Sequence, residues 1–183
     1  MYSAGIDIGS RTIALVVTDG RSIIQSAVVE TGFDPVRKAE EMAAGLMQMS
    51  SLTATGYGRH SAKSLFAGQV ITEIKAHALG AGHLFPGART VLDIGGQDMK
   101  VILLDDRGKV ADFQMNDKCA AGTGKFLEGM AGALGYHSVE DFGRDSLKGS
   151  PGTRISSMCT VFAESEAVSL VHRGAHRHDI GRA

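Results

Sequence analysis

The chain has 183 residues, a formal net charge of −1 and 43% hydrophobic residues, enough length to bury roughly 70% of the surface its unfolded form exposes. The near-neutral charge and the sparse aromatics, with no Trp, argue against a nucleic-acid surface, a base-stacking platform or an electrostatic membrane binder. No apolar run reaches about 18 residues and Met1 to Gly9 lacks signal-peptide regions, so a cytoplasmic location is expected; there, two cysteines point to buried filler, redox chemistry or metal ligation rather than a disulfide framework.

In chain order, residues 4 to 18 read as a strand, a tight Asp-Ile-Gly-Ser turn and a second apolar strand. Asp19-Gly20 is a hairpin signal leading to a third strand over 23–29. Asp34-Pro35 predicts a helix start, an N-cap followed by Pro at the first helical position, with Val36, Ala39, Ala43 and Leu46 on one apolar face. Residues 52–55 are a short strand candidate, Thr55 to His60 a turn-rich loop, and 72–82 a helix ending before Pro86.

The opening pattern then recurs at an offset of 86 residues: Asp7, Ile8 and Gly9 superpose on Asp93, Ile94 and Gly95, and Leu15, Val16 and Val17 on Val101, Ile102 and Leu103. A second hairpin signal follows at Asp105 to Gly108, with the next strand over 110–115. A strand–turn–strand unit used twice implies internal duplication, each copy seeding a domain, 1–88 and 89–183. Helices are expected over 122–135, 138–143 and 160–173, and a short extended piece over 154–157.

The chemistry sits on the turns. Glycine lets backbone amides approach an oxyanion closely. Two facing Asp-Ile-Gly hairpins would grip a polyphosphate, with Asp7 and Asp93 holding hydrated magnesium and Gln97 or Asp98 orienting water. The nucleotide contacts on this reading are Gly9, Ser10 and Arg11 in the first hairpin and Gly95, Gly96 and Asp98 in the second. Gly122-Thr123-Gly124-Lys125 resembles the end of a Walker A loop but has Cys119 and Phe126 where that motif needs Gly and Ser or Thr. It is kept as a secondary phosphate contact at a helix N-terminus, with a cap serving close helix packing as the alternative.

Cys119 precedes one predicted helix and Cys159 another, so both thiols are expected at helix N-termini, where the dipole favours thiolate. Two thiols cannot complete a four-thiolate site, but a twofold dimer supplies four, for an iron–sulfur cluster or for zinc. His172, His176 and His178 in the tail read as solvent-facing side chains rather than metal ligands, because Gly174 interrupts the helix.

DIGS at 7–10, ATGYGR at 54–59, DIGGQD at 93–98, NDKCAAGTGKFLE at 116–128 and CTVFAESE at 159–166 together resemble the ATPase activators of 2-hydroxyacyl-CoA dehydratases and the related ATPase subunits of benzoyl-CoA reductase. The resemblance implies an α/β, actin-like ATPase fold and a homodimer sharing one 4Fe-4S cluster, with Cys119 and Cys159 matching the family's ligands. It also implies an ATP/ADP site with Mg2+, a ferredoxin or flavodoxin donor, and a dehydratase or reductase acceptor that receives one low-potential electron. Members of that family continue through a glycine-rich adenosine-binding segment and a final helix, so a fragment or shortened relative is expected, with an incomplete second half. The alternatives are a small-molecule kinase of the same fold, which requires a carboxylate beside the acceptor hydroxyl, and a non-catalytic relative that dimerises or binds a partner.

Overall fold

A computed structural model describes residues 1–46 and 49–183. Strands β1 (Tyr2–Ile8), β2 (Thr12–Thr18) and β3 (Ile23–Glu30) form antiparallel neighbours. Alternate residues of the first two strands are apolar, which matches the two-residue period of a pleated strand. Ala4, Ile6 and Ile8 of β1 and Ile13, Leu15 and Val17 of β2 all face one buried side. Helix α1 (Pro35–Ala44) starts as expected: the Arg37 N–H donates to the Asp34 side chain at 3.2 Å, and Ala39 is buried against the sheet. This helix is the crossover that lets β4 (Met49–Gly56) return parallel to β1, a connection that a tight turn cannot make. Helix α2 (Arg59–Leu65) and the two-residue β5 (Gln69–Val70) complete a mixed sheet in the order β3-β2-β1-β4-β5.

Helix α3 (Glu73–Leu84) is capped by Thr72, whose hydroxyl accepts from the Lys75 N–H at 3.3 Å. Strands β6 (Thr90–Ile94), β7 (Met99–Leu104) and β8 (Val110–Asn116) form a second sheet in that order. Ile102 and Leu104 of β7 join Ala78 of α3 in a small core, with Ile74, Ala88 and Val91 packed against it. Four further helices follow: α4 (Gly124–Ala133), α5 (Val139–Ser146), α6 (Thr160–His172) and α7 (Arg177–Arg182). Their shared core comprises Met130, Ala131, Leu134, Phe142, Ala163, Ala167 and Ile180. The architecture is α/β. It resolves into two compact units, one of residues 1–93 and 100–114, the other of residues 94–99 and 115–183.

Two local expectations change. Residues read as a turn-rich loop at 55–60 lead directly into α2, whose first residue is Arg59. Gly56 and Gly58 disguise this start, since a glycine pair ordinarily signals a turn. The tail carries a helix of its own: α6 ends at His172, Gly174 takes φ +86°, and α7 resumes at Arg177. His172 and His176 therefore occupy no common helix. Ile180 is 2% exposed, so Ile180→Ala is expected to cost about 2–5 kcal/mol in chemical unfolding. His172→Ala, on the exposed end of α6, is expected to stay within about 0.5 kcal/mol of the parent.

Candidate functional site

The two hairpin tips are built alike. Between β1 and β2 the Gly9 N–H donates to Thr12 O at 3.0 Å; between β6 and β7 the Gly95 N–H donates to Asp98 O at 2.9 Å. Thr12 and Asp98 are related by the same 86-residue offset as the glycines, so the duplication seen in the sequence is a duplication of turn geometry. A Cβ on Gly9 would lie 2.8 Å from Thr12 O, and one on Gly95 would lie 2.5 Å from Asp98 Oδ1. At Gly9 the obstacle is backbone, so that turn requires glycine, while at Gly95 a side chain would displace the Asp98 carboxylate.

The surroundings of the tips differ. At the first, Thr31 Oγ1 donates to Gly9 O at 2.9 Å and the Gly58 N–H to Ile8 O at 3.1 Å. Ser10 is half-buried and Arg11 exposed beside them. At the second, the Gly124 and Lys125 N–H groups donate to Gly95 O and Gly96 O, each at 2.9 Å. Thr123, fully buried, donates through its hydroxyl to Ala120 O at 2.5 Å. Two of the free amides that a helix N-terminus offers are thus turned onto the hairpin, the close packing held above as the alternative for residues 122–125. Gln97 is exposed and Asp98 is 4% exposed.

Asp7 and Asp93 belong to a charged cluster within the first unit. Lys100 on β7 donates from Nζ to Asp93 Oδ2 at 3.1 Å and pairs with Glu73 Oε2 of α3 at 3.6 Å. His77 Nδ1, one turn along from Glu73, lies 3.6 Å from Asp93 Oδ1. The Lys100 side chain is only 3% exposed, so its ammonium depends on these carboxylates for compensation. Asp7 Oδ1 is buried with no hydrogen-bond partner among the described residues. Gly56, at φ +86°, passes close to that carboxylate, where any Cβ would collide with it. Burial first, then the nearby Glu73, raises the Asp7 pKa; His77 and Lys100 act against the shift.

Among the described residues the carboxylates of Asp7, Asp93 and Glu73 outnumber the Lys100 ammonium in this half-buried cluster, a charge balance that suits a cation. Among the described residues no three His, Cys, Asp or Glu side chains converge closely enough to hold a metal directly. Carboxylates at this spacing are compatible with a hydrated Mg2+, an ion that usually keeps several of its waters. Because the folded chain keeps the Asp7 proton to higher pH than the unfolded chain, the cost of the ionised form is absent below about pH 4 and grows as pH rises through the folded pKa. Asp7→Asn is expected to raise the thermal midpoint of the ligand-free protein at pH 7, with the gain vanishing near pH 4, as read by calorimetry across that range.

Glu73, His77 and Lys100 were not singled out from the sequence, though one signal was available. Lys100 interrupts the apolar run MKVILL at a position in phase with Ile102 and Leu104, and the offset aligns it with Ala14. A lysine on the buried face of a strand needs a partner.

Cys119 and Cys159 are both exposed free thiols in the second unit. Cys159 is the N-cap of α6, and the Ala163 N–H donates to its carbonyl at 2.8 Å. Cys119 departs from expectation: α4 begins five residues later, at Gly124. It sits instead in a turn closed by Asn116, whose side chain accepts from the Cys119 N–H at 3.3 Å and donates to its carbonyl at 3.1 Å. The intervening residues form a turn in which Thr123 bonds back to Ala120 O, and it leads to the Gly124 and Lys125 amides that dock on the hairpin. Two accessible thiols suit a site completed by a second copy.

Known proteins resemble the chain closely. The activator of lactoyl-CoA dehydratase from Anaerotignum propionicum is 44% identical, over 98% of this chain and 71% of that protein. The crystal structure of the Acidaminococcus fermentans (R)-2-hydroxyglutaryl-CoA dehydratase component A superposes with TM-score 0.89 at 41% identity, covering 99% of this chain and 72% of that one. The ADPNP-bound activator of the 2-hydroxyisocaproyl-CoA dehydratase from Clostridium difficile gives TM-score 0.88 at 39% identity, covering 99% and 69%. The chain shares their actin-like ATPase fold. With residues 4–183 matching that family throughout, the protein is a member of the BadF/BadG/BcrA/BcrD ATPase family.

Proposed function

We propose that this protein is an ATP-dependent one-electron donor that activates a 2-hydroxyacyl-CoA dehydratase or a benzoyl-CoA reductase-type enzyme. The observation that carries the nucleotide half is the carboxylate-rich cluster of Asp7 and Asp93, with a buried oxygen of Asp7 that has no hydrogen-bond partner among the described residues. Asp7 and Asp93 hold the hydrated Mg2+ of ATP or ADP, and Gln97 orients the attacking water. Gly9, Ser10 and Arg11 of one hairpin and Gly95, Gly96 and Asp98 of the other contact phosphate. Gly122, Thr123, Gly124 and Lys125 support the second hairpin and reach phosphate through Lys125, whose side chain is exposed. The ADPNP in the related C. difficile activator supports this choice of ligand. Residues 1–88 and 89–183 are taken as the two duplicated actin-like subdomains.

Cys119 and Cys159 of each chain in a homodimer hold a shared 4Fe-4S cluster. When bound, it supplies a one-electron carrier of low potential. The residues of the chain present the two thiols at the surface and fix Cys159 to the start of α6. A ferredoxin or flavodoxin is the donor, and the activators of lactoyl-, 2-hydroxyglutaryl- and 2-hydroxyisocaproyl-CoA dehydratases among the relatives support a dehydratase acceptor. Among the described residues no helix is long and apolar enough to cross a membrane, and the proposed location is the cytoplasm. The nucleotide half is tested by Mg2+-dependent ATP hydrolysis: Asp93→Asn is expected to lower turnover at least about 100-fold, and equal turnover and nucleotide affinity in the two proteins would overturn it.

A further inference from the structure

The segment before Cys159 has no regular structure, yet it is tied firmly to the helix that follows. Glu166, two turns into α6, accepts from the Ser156 N–H at 3.1 and 3.2 Å with its two carboxylate oxygens and from the Ser157 N–H at 3.2 Å. Both serine hydroxyls close on the same carboxylate, Ser157 Oγ at 3.0 Å and Ser156 Oγ at 3.2 Å. Two backbone donors and two hydroxyls thus converge on one carboxylate, and the Ser156 amide heads the causes that hold its pKa below the usual range. On the other side of Cys159, the Ala163 N–H anchors the Cys159 carbonyl at 2.8 Å. Only Met158, 90% exposed, stands between the clamp and the cysteine. Ile155, just upstream, packs against the helical core.

This arrangement is more than capping. A helix N-terminus is usually satisfied from its own N-cap or first turn, and Cys159 makes no side-chain cap bond. Glu166 lies beyond that first turn, and its hydrogen bonds bend the preceding segment back along α6. We infer that Glu166 is a positioning residue that holds the Ser156–Ser157 segment so that the Cys159 thiol is presented rigidly from the start of α6 to a metal cluster. This rests on the reading of Cys119 and Cys159 as ligands. Partners that orient a ligand from outside its shell typically change metal affinity by about 10–100-fold when removed, and the same scale applies here.

The test uses the full chain reconstituted anaerobically with iron and sulfide, following iron loss to a chelator. Glu166→Ala is expected to lose iron at least about 10-fold faster than the parent. Glu166→Gln, which keeps the length and one acceptor oxygen, is expected to fall between them. Ile180→Ala loosens the same helical core without touching the clamp and is expected to release iron at the parental rate. Release from Glu166→Ala within about twofold of the parent, or equal acceleration in Ile180→Ala, would overturn the inference. If Glu166→Ala does not fold, the double variant Ser156→Ala, Ser157→Ala removes both hydroxyls from the opposite side and is judged by the same criteria. Should the parent take up no iron, the cluster reading itself fails. The clamp is then read from hydrogen exchange in the metal-free protein, where Glu166→Ala is expected to speed exchange across 155–160 at least about 10-fold and leave 116–123 unchanged; unaltered exchange at 155–160 would overturn it.

Discussion

Lys100→Met is expected to destabilise the ligand-free protein by about 3–5 kcal/mol, because it removes an ammonium that compensates a half-buried set of carboxylates. The Lys100 side chain is 3% exposed, and the Asp93 and Glu73 side chains that pair with it are about 80% covered. Methionine preserves the volume and the apolar stem, so the loss reports charge compensation rather than a cavity. The variant also carries a signature that a packing defect lacks. With Lys100 gone the cluster bears a further uncompensated negative charge, and excess Mg2+ is expected to raise the thermal midpoint of the variant by more than that of the parent, by mass action on the folded state. Thermal unfolding with and without Mg2+ measures both quantities. A midpoint close to the parental value in the absence of metal would show that Asp93 and Glu73 do not rely on Lys100.

Either Cys119→Ser or Cys159→Ser is expected to abolish iron uptake. The parent should carry about four irons per pair of chains and each variant close to none. The change is confined to the site because both thiols are exposed, so neither substitution opens a cavity, and unfolding free energies are expected to stay within about 0.5 kcal/mol of the parent. Anaerobic iron and sulfide analysis with electron paramagnetic resonance of the reduced protein decides the matter. Unaltered iron in the variants would remove the cysteines from the site, and an equivalent of zinc in the parent would favour the competing four-thiolate metal.

The extent to which the site could be read from residue order differs from one feature to the next. The hairpin tips were legible because glycine and aspartate at fixed spacing encode a turn locally, and the same hydrogen bond is made at Gly9 and at Gly95. The start of α1 was legible for a similar reason: Asp34 and Pro35 act within one turn of each other. The start of α2 was not, because Gly56 answers to the Asp7 carboxylate on a neighbouring strand rather than to a local turn. The α7 helix was missed because six residues carry little helical signal of their own, and the docking of Ile180 into the helical core supplies what they lack.

The strand–turn–strand duplication, the glycine at both tips and the glycine- or serine-rich stretch beside each cysteine are encoded within a few residues and follow from residue order. Which charges meet depends on long-range packing. Glu73, His77, Asp93 and Lys100 come from a helix and two strands, and their hydrogen bonds and ion pairs exist only once α3 packs on β7. The offset that equates Ala14 with Lys100 marks the limit of local reading: the two copies share a backbone turn, while burial places a compensating ammonium in one of them and an orphaned carboxylate oxygen in the other.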